Sequence, residues 1–337
     1  MPAHIIGLQT HLPAGVVTND DLGRENPDWD MTRLSAKTGI RQRHVAAAGE
    51  TALDLAGEAC QKLLARGLVD PACIDYLIVC SQSPDYFLPS GACLLQNRLK
   101  LKKSIGAFDF NLGCSGYIYG LQLATALIES GHAGCVLLVT ADTYTRFIHP
   151  RDRMLRILFG DGASATLVGA SAGPGAITAF VVGTDGAGAN NLMVPAGGLR
   201  LPHSEETARE TTDVYGGTRS KNHLFMDGGA IFTFAIRTVP PLLSQILEKA
   251  GVSKEQIDWF VLHQANEYML DELVKRASLP ADKVLRRYAD VGNTVSSSIP
   301  MALEPALEEG RILPGHKLLL AGFGVGYSWG GCLLTWE

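Results

Sequence analysis

The chain has 337 residues, of which 46% are hydrophobic and 19% are charged, as expected for a globular protein of about two domains. Its 29 lysines and arginines against 34 aspartates and glutamates leave a net charge of −5, without the strongly basic balance of most nucleic-acid-binding proteins. No unbroken apolar run reaches the roughly 18 residues of a membrane span, and the seven cysteines form no CxxC pair. We therefore expect a cytoplasmic protein with reduced thiols, no metal site, no nucleic-acid partner and no membrane partner.

The same order of elements occurs twice along the chain. Residues 63–80 (LLARGLVDPACIDYLIVC) predict a helix end, a glycine stop and a buried strand, and residues 247–263 (LEKAGVSKEQIDWFVLH) predict the same. A helix and a strand then follow Cys114, and a helix and a strand likewise follow Asn293. In both cases a glycine 17 residues further on ends the helix. The sequence therefore predicts a duplicated unit.

The alternation of strands with helices predicts an α/β fold of mostly parallel, buried strands joined by right-handed crossovers. We expect two halves, residues 1–172 and residues 173–337, related by a pseudo-twofold axis. Ligands of such sheets bind beyond the carboxyl ends of the strands. Cys114, His263 and Asn293 all fall at such ends in the predicted elements.

Cys114 lies in DFNLGCSGYIYG, where an apolar strand ends and a helix begins. The free N–H groups and the dipole at a helix amino terminus favour a thiolate, so we expect the pKa of this thiol to lie below its usual value of about 8.5. The competing interpretation is that Cys114 is a small buried hydrophobe, as most intracellular cysteines are. The flanking glycines and the position in the repeat favour a nucleophile.

His263 ends the apolar strand in WFVLHQAN, and Asn293 occupies a turn before a helix in DVGNTVSSSIP. Alone, they would be interpreted as a hydrogen-bonded core histidine and a capping or Asx-turn asparagine. Together with Cys114 they supply a nucleophile and two neutral groups that can donate to a carbonyl oxygen. We therefore predict that the three side chains share one site.

Two glycine-rich segments are interpreted as loops. GFGVG at 322–326 follows a strand, but the 11 residues after it cannot form the helix of a dinucleotide-binding site, so we predict a tight loop close to the site. Residues 183–223 interrupt the alternating pattern and are predicted to be a surface excursion.

These motifs make the sequence similar to the thiolase superfamily, and above all to the β-ketoacyl-acyl-carrier-protein synthase III group. The resemblance extends over essentially the whole chain. Its motifs, in order, are TGIRQRH from Thr38, the segment around Cys114, DRMLRILFGDGA from Asp152, HQAN from His263, GNT from Gly292 and GFGVGYSWG from Gly322. The resemblance implies a five-layer αβαβα fold, a homodimer, and a catalytic site that by position is Cys114, His263 and Asn293.

The resemblance also implies a reaction. Cys114 would take an acyl group from acyl-coenzyme A or acyl carrier protein, with backbone N–H groups holding the oxyanion. His263 and Asn293 would hold the thioester carbonyl of malonyl-acyl-carrier protein while carbon dioxide leaves, and the enolate would attack the acyl-cysteine to give a 3-oxoacyl thioester. Phe323 would be an apolar wall beside the departing carboxylate. No cofactor is needed, and the pathway would be fatty-acid initiation or a specialised one.

The substrate-contacting positions depart in part from the family pattern. Arg33 and Lys37 stand where close members place a tryptophan and an arginine that clamp coenzyme A, and Tyr268 replaces an arginine that commonly follows HQAN. The positions that the resemblance assigns to substrate binding are Phe323, Val325, Leu88, Arg153, Lys37 and Asn266, and those that it assigns to carrier docking are Lys275, Arg276 and Arg237. Of these, Leu88 matches a position through which the partner subunit shapes the acyl pocket. We expect docking of an acidic acyl carrier to be retained and the coenzyme A clamp to be altered.

Two alternatives stay open. An acyltransferase of the same fold would use Cys114 and a base to transfer an acyl group into an ester or amide, without decarboxylation. A non-catalytic partner subunit would shape another protein's pocket, although such a subunit needs none of the three polar side chains.

Overall fold

The computed structural model describes residues 1–171, 173, 176–213 and 216–337. The elements up to residue 170 are β1 (Ala3–His11), β2 (Gly15–Thr18), α1 (Asn19–Glu25), α2 (Met31–Thr38), β3 (Gln42–Val45), α3 (Ala52–Ala65), β4 (Tyr76–Cys80), α4 (Gly91–Arg98), β5 (Gly106–Phe110), α5 (Gly116–Glu129), β6 (Cys135–Asp142), α6 (Arg153–Arg156) and β7 (Gly162–Ala170). Those that follow are β8 (Ala176–Thr184), β9 (Leu192–Met193), β10 (Thr211–Thr212), β11 (Thr218–Arg219), β12 (Phe225–Met226), α7 (Gly228–Ala250), β13 (Trp259–Leu262), α8 (Glu267–Arg276), α9 (Ser298–Glu308), β14 (Lys317–Gly324) and β15 (Ser328–Thr335).

Two large sheets have the same strand order. The first is β1-β7-β6-β4-β5, and the second, read in the matching direction, is β8-β15-β14-β13. The β4–β6 and β13–β14 pairs are parallel, whereas the β6–β7 and β14–β15 pairs are antiparallel. A parallel bridge between Phe260 and Val284 lies where β5 pairs with β4 in the first sheet. The predicted duplication of the fold is therefore confirmed strand by strand.

Side-chain alternation along the strands builds five layers. Val136 and Leu138 of β6 pack into a central cluster with α5, α9 and the second sheet, while Leu137 and Val139 face α3 and α4 on the outside. In β14, Leu320 points to the same central cluster, and alternate residues face α7 and α8. The layers are thus α3/α4, sheet, α5/α9, sheet and α7/α8, which confirms the predicted αβαβα fold.

Two predictions about the fold are corrected by the structure, and a third stays a prediction. The prediction of mostly parallel strands is wrong, because β7 and β15 return antiparallel beside the preceding strand without a crossover helix. The segment 183–223 is not wholly at the surface, since Leu192 is 5% exposed and belongs to the core between β14 and α7. Residues 214 and 215 of that segment, and residue 172 at the expected boundary of the halves, lie outside the described residues, and the division at 172/173 stays a prediction.

By length and hydropathy α7 could cross a membrane. However, Phe234, Val239 and Leu242 bury one side of it in the core of the outer layer, and Arg237 lies on its exposed side. In the structure, α7 is therefore an amphipathic helix packed on the second sheet.

Candidate functional site

Cys114 lies between the carboxyl end of β5 and the start of α5, with 6% of its surface exposed. Two glycines of β14 lie against it. A Cβ added at Gly322 would come within 2.5 Å of the Cys114 carbonyl oxygen, and one at Gly324 within 3.0 Å of the Cys114 Sγ. The glycine-rich segment therefore brings backbone close to the cysteine, as predicted, although these two glycines belong to a strand and not to a loop.

The expected low pKa of the Cys114 thiol is contradicted. Burial raises this pKa to about 12, and the negative charge of Asp142 raises it further than the cysteine's own N–H group lowers it. The reason is that a thiolate at a nearly closed position loses its hydration, and the backbone N–H group of Cys114 does not compensate for that loss. At neutral pH Cys114 is therefore a thiol in the free protein.

His263 follows β13 and is 2% exposed. Its backbone N–H donates to the Ala321 carbonyl of β14 at 2.8 Å, and its ring meets the Phe323 ring edge to face at 5.6 Å between centroids. Ring atom Nδ1 lies 2.6 Å from the Ser298 Oγ. Burial lowers the pKa of His263 to about 3, so the imidazole is neutral at any working pH.

Asn293 is held by both its backbone and its side chain. Its N–H donates to the Leu158 carbonyl at 2.9 Å, and its own carbonyl accepts from the Gly160 N–H at 3.0 Å. The side-chain Oδ1 accepts from the Val295 N–H at 2.9 Å, which orients the amide. Consequently Nδ2 faces His263, 3.5 Å from its Nε2.

The three predicted residues are thus brought together around the end of β14. Cys114 touches Gly324, the neighbouring Phe323 touches His263, and His263 meets Asn293. One half supplies a nucleophile and the other supplies two neutral donors. This arrangement can hold a thioester carbonyl beside an acyl-cysteine.

Sequence analysis missed a buried carboxyl beside this site. Asp142 ends β6, is fully buried, and accepts hydrogen bonds from the Gln82 N–H at 2.8 Å and from the Ser296 hydroxyl. Burial raises its pKa to about 7. The Gln82 Oε1 in turn accepts from the Tyr144 hydroxyl at 2.7 Å. The signal was available, because Asp142 stands at the carboxyl end of an apolar strand, as the other site residues do.

Three of the residues assigned to substrate binding, Val325, Leu88 and Arg153, have different surroundings. Val325 is half-buried, and its Cγ1 lies 2.6 Å from the place of a Cβ on Gly113, next to the nucleophile. Leu88 is 82% exposed, in one apolar run with Tyr86 and Phe87. The guanidinium of Arg153 lies against Gly216, and its buried Nε has no partner among the described residues.

The remaining assigned residues lie on helices that pack together at one side of the second sheet. Lys37 of α2, Arg237 of α7, and Lys275 and Arg276 of α8 are exposed, and α8 contacts both α2 and α7. Asn266 has a structural role that the sequence analysis missed, because its Oδ1 caps α8 by accepting from the Met269 N–H at 2.8 Å.

The fold and the site define a condensing enzyme of the thiolase type. Family models for 3-oxoacyl-[acyl-carrier-protein (ACP)] synthase III match residues 108–186 and, for its C-terminal part, residues 247–336. The chain is 38% identical to a β-ketoacyl-[acyl-carrier-protein] synthase III of Chlamydia caviae, over 98% of this chain and 96% of that protein.

Solved structures agree. A crystal structure of a 3-oxoacyl-(acyl-carrier-protein) synthase III superposes with a TM-score of 0.98 at 50% identity and full coverage of both chains. A 3-oxoacyl-(acyl-carrier protein) synthase of Burkholderia xenovorans superposes with a TM-score of 0.92 at 38% identity, over 100% of this chain and 95% of that one. The chain belongs to the β-ketoacyl-acyl-carrier-protein synthase III family.

Proposed function

We propose that this protein condenses an acyl primer, carried as a thioester on Cys114, with malonyl-acyl-carrier protein to give a 3-oxoacyl thioester and carbon dioxide. The observation that carries the proposal is the convergence of two neutral N–H donors, one on His263 and one on Asn293, beside a buried cysteine. A cysteine hydrolase would use the imidazole as a general base, whereas burial lowers the pKa of His263 to about 3, which suits a neutral hydrogen-bond donor.

In the first half-reaction the sulfur of Cys114 attacks the thioester carbonyl of the primer. The thiol loses its proton, the bond from the acyl carbon to the donor sulfur breaks, and the donor leaves as a free thiol. Since burial keeps the free thiol protonated, proton loss belongs to the bound complex. The leaving donor sulfur takes up one proton, so no net charge stays in the site.

In the second half-reaction the malonyl thioester carbonyl accepts hydrogen bonds from Nε2–H of His263 and from Nδ2 of Asn293. The bond to the carboxylate carbon breaks, carbon dioxide leaves, and the electron pair forms an enolate whose oxygen keeps these two hydrogen bonds. The enolate carbon then attacks the acyl-cysteine, the carbon–sulfur bond breaks, and the sulfur of Cys114 leaves as a thiolate that takes up one proton from solvent to restore the thiol. Phe323 places an apolar ring beside the imidazole, and this ring offers a charged carboxylate no hydrogen bond there.

We also propose that an acidic carrier protein docks on four exposed basic residues of three helices, which together we call the docking face: Lys37 of α2, Arg237 of α7, and Lys275 and Arg276 of α8. Their exposure on three contacting helices supports this, because exposed cations steer an acidic partner. Arg33 and Lys37 are exposed one turn apart on α2 and offer no aromatic plane for an adenine ring. We therefore infer that acyl carrier protein charges the enzyme more readily than acyl-coenzyme A does.

The enzyme is further proposed to be a cytoplasmic homodimer without a cofactor. The apolar run of Tyr86, Phe87 and Leu88 is 62–87% exposed, and an exposed apolar run of this kind favours an interface through which Leu88 reaches the partner's acyl pocket. The seven free cysteines support a reducing compartment. Sedimentation of the wild type and of Phe87→Asp tests the dimer, and an unchanged monomer in both would refute it.

The decisive experiment uses the acyl enzyme and malonyl carrier labelled in the carboxyl carbon. We expect intact mass to show one acyl adduct that is absent from Cys114→Ala, and labelled carbon dioxide to appear with the 3-oxoacyl product. An adduct without carbon dioxide would refute condensation and point to the acyltransferase. No adduct from any acyl donor would point to the non-catalytic subunit.

A further inference from the structure

Three consecutive buried serines open α9, and each has a different partner. The Ser296 hydroxyl donates to Asp142, and the Ser297 hydroxyl donates to the Thr140 carbonyl at 3.1 Å. The Ser298 Oγ lies 2.6 Å from Nδ1 of His263. Ser296 and Ser297 therefore fasten the start of α9 to β6 in the other half, and Ser298 faces the imidazole from this fixed base.

We propose that Ser298 is a positioning residue, whose hydroxyl donates to Nδ1 of His263 and keeps the ring in the tautomer that carries its proton on Nε2. The inference rests on the proposed condensation, in which Nε2–H must donate to the substrate oxygen. It extends that proposal to a residue outside the three predicted ones.

The geometry around the ring distinguishes the two neutral tautomers. With the proton on Nδ1, the ring would donate to Ser298, and the bare Nε2 would accept from Asn293. The imidazole could then no longer donate to a substrate oxygen, and the ring would take up one of the two N–H groups of the Asn293 amide. With the proton on Nε2, the ring and the Asn293 amide are two donors that flank one position.

The distance between the two groups favours the second tautomer. The Asn293 Nδ2 and the His263 Nε2 are 3.5 Å apart, which is longer than an ordinary N–H···N hydrogen bond and suits two donors that share an acceptor. The amide cannot turn its oxygen towards the ring without losing the bond from the Val295 N–H. Ser298, as the neighbour of Nδ1, is therefore the side chain that selects the tautomer.

The loop that carries these groups is held in a costly conformation. Val295, between Asn293 and the serines, is fully buried with φ of 52°, a left-handed backbone that a β-branched residue rarely adopts. Such a conformation persists only where surrounding contacts enforce it, and here the Asn293 side chain and the three serines do so. The strain coincides with the segment that must place two donors accurately.

Ser298→Ala and Ser297→Ala form a matched pair, because both remove one buried hydroxyl from the same turn. Ser298→Ala should lower the rate of malonyl-carrier decarboxylation by the acyl enzyme about tenfold, which is the equilibrium effect of one buried hydrogen bond. Ser297→Ala should lower thermal stability about as much as Ser298→Ala does, without changing the tautomer of His263 or the rate. Ser298→Thr, which keeps the hydroxyl, should restore most of the rate.

A spectroscopic readout separates this proposal from the proposed function. Nitrogen NMR of ¹⁵N-histidine-labelled protein, with His263 assigned by its loss in His263→Gln, should show a protonated Nε2 in the wild type and a mixture of tautomers in Ser298→Ala. A wild type protonated on Nδ1 would overturn the proposal even if condensation occurs. A Ser298→Ala protein with an unchanged tautomer and an unchanged rate would also overturn it.

If the wild type shows protonated Nε2 but releases no carbon dioxide, the condensation fails and the tautomer assignment stands. If Ser298→Ala does not fold, Ser298→Cys, whose thiol is similar in size but only a weak donor, takes its place in both measurements.

Discussion

The reactivity of Cys114 towards a small alkylating reagent should be limited by ionisation of its thiol. With the pKa raised to about 12, roughly one Cys114 in 30,000 is a thiolate at pH 7.5, against about one in ten for an ordinary cysteine. Since only the thiolate reacts, the rate should keep rising up to pH 9 without a plateau, by about tenfold per pH unit except around pH 7, where ionisation of Asp142 makes the rise shallower. The absolute rate also depends on access to the site, but this slope does not.

The Asp142→Asn substitution makes the prediction specific. Because the pKa of Asp142 is raised to about 7, its carboxyl is mostly neutral at pH 6 and mostly charged at pH 8.5. A like charge inside the site is worth on the order of one pKa unit, and therefore about tenfold in thiolate. Asp142→Asn should match the wild-type alkylation rate at pH 6 and exceed it about tenfold at pH 8.5.

The assay is iodoacetamide labelling followed by peptide mass spectrometry at Cys114, since the exposed Cys73 and Cys93 also react. Ser296→Ala is the control. It keeps the carboxylate of Asp142 but removes a hydrogen bond that lowers the pKa of that group. In this variant, the shallow part of the rate curve, where Asp142 ionises, should therefore lie at higher pH than in the wild type. A plateau of the wild-type rate below pH 9 would refute the electrostatic reasoning. So would an Asp142→Asn rate equal to the wild-type rate at both pH 6 and pH 8.5.

Further substitutions test the site and the docking face. Gly324→Ala would place a Cβ 3.0 Å from the nucleophilic sulfur and should slow adduct formation at least tenfold while leaving the melting temperature nearly unchanged; a normal acylation rate would contradict the contact. His263→Ala and Asn293→Ala should each keep the acyl adduct but lower carbon dioxide release about 10² to 10³-fold, as measured with labelled malonyl carrier. In the wild type, carbon dioxide release should show no inflection near pH 6.5, because burial lowers the pKa of His263 to about 3. Charge reversal of Lys275 and Arg276 to Glu should raise the KM for acyl carrier about tenfold at low salt, with little effect on acyl-coenzyme A; equal effects on both donors would exclude a carrier-docking role.

Much of the fold could be predicted because the duplication is written in local patterns. The helix after Cys114 ends one residue before Ser130, and the helix before Gly310 ends at Glu308, each followed by a glycine in the left-handed conformation. Strand direction was not predictable in the same way. An apolar strand looks alike whether its neighbour is parallel or antiparallel, and only the missing crossover helix before β7 and β15 distinguishes the two cases.

The site was predictable in its members but not in its electrostatics. The rule that polar residues at strand ends converge places Cys114, His263 and Asn293 together without any coordinates. The ionisation state of Cys114 depends instead on how completely β14 and its glycines close over the sulfur. The contact of Ser298 with His263 joins residues 35 positions apart, so nothing in the run of three serines identifies the one that faces the ring.

Burial also explains why a neutral imidazole suits decarboxylation. Loss of water lowers the pKa of the His263 imidazole, and Cys114 carries the primer as an uncharged thioester, so both groups are neutral when malonyl carrier binds. A protonated imidazole would form an ion pair with the malonyl carboxylate and stabilise the substrate more than the products. A neutral Nε2–H instead offers little to the carboxylate and a full hydrogen bond to the enolate oxygen, where negative charge accumulates as carbon dioxide leaves. The apolar ring of Phe323 acts in the same direction. It offers no hydrogen bond to the malonyl carboxylate, whereas the enolate oxygen keeps the hydrogen bonds from His263 and Asn293.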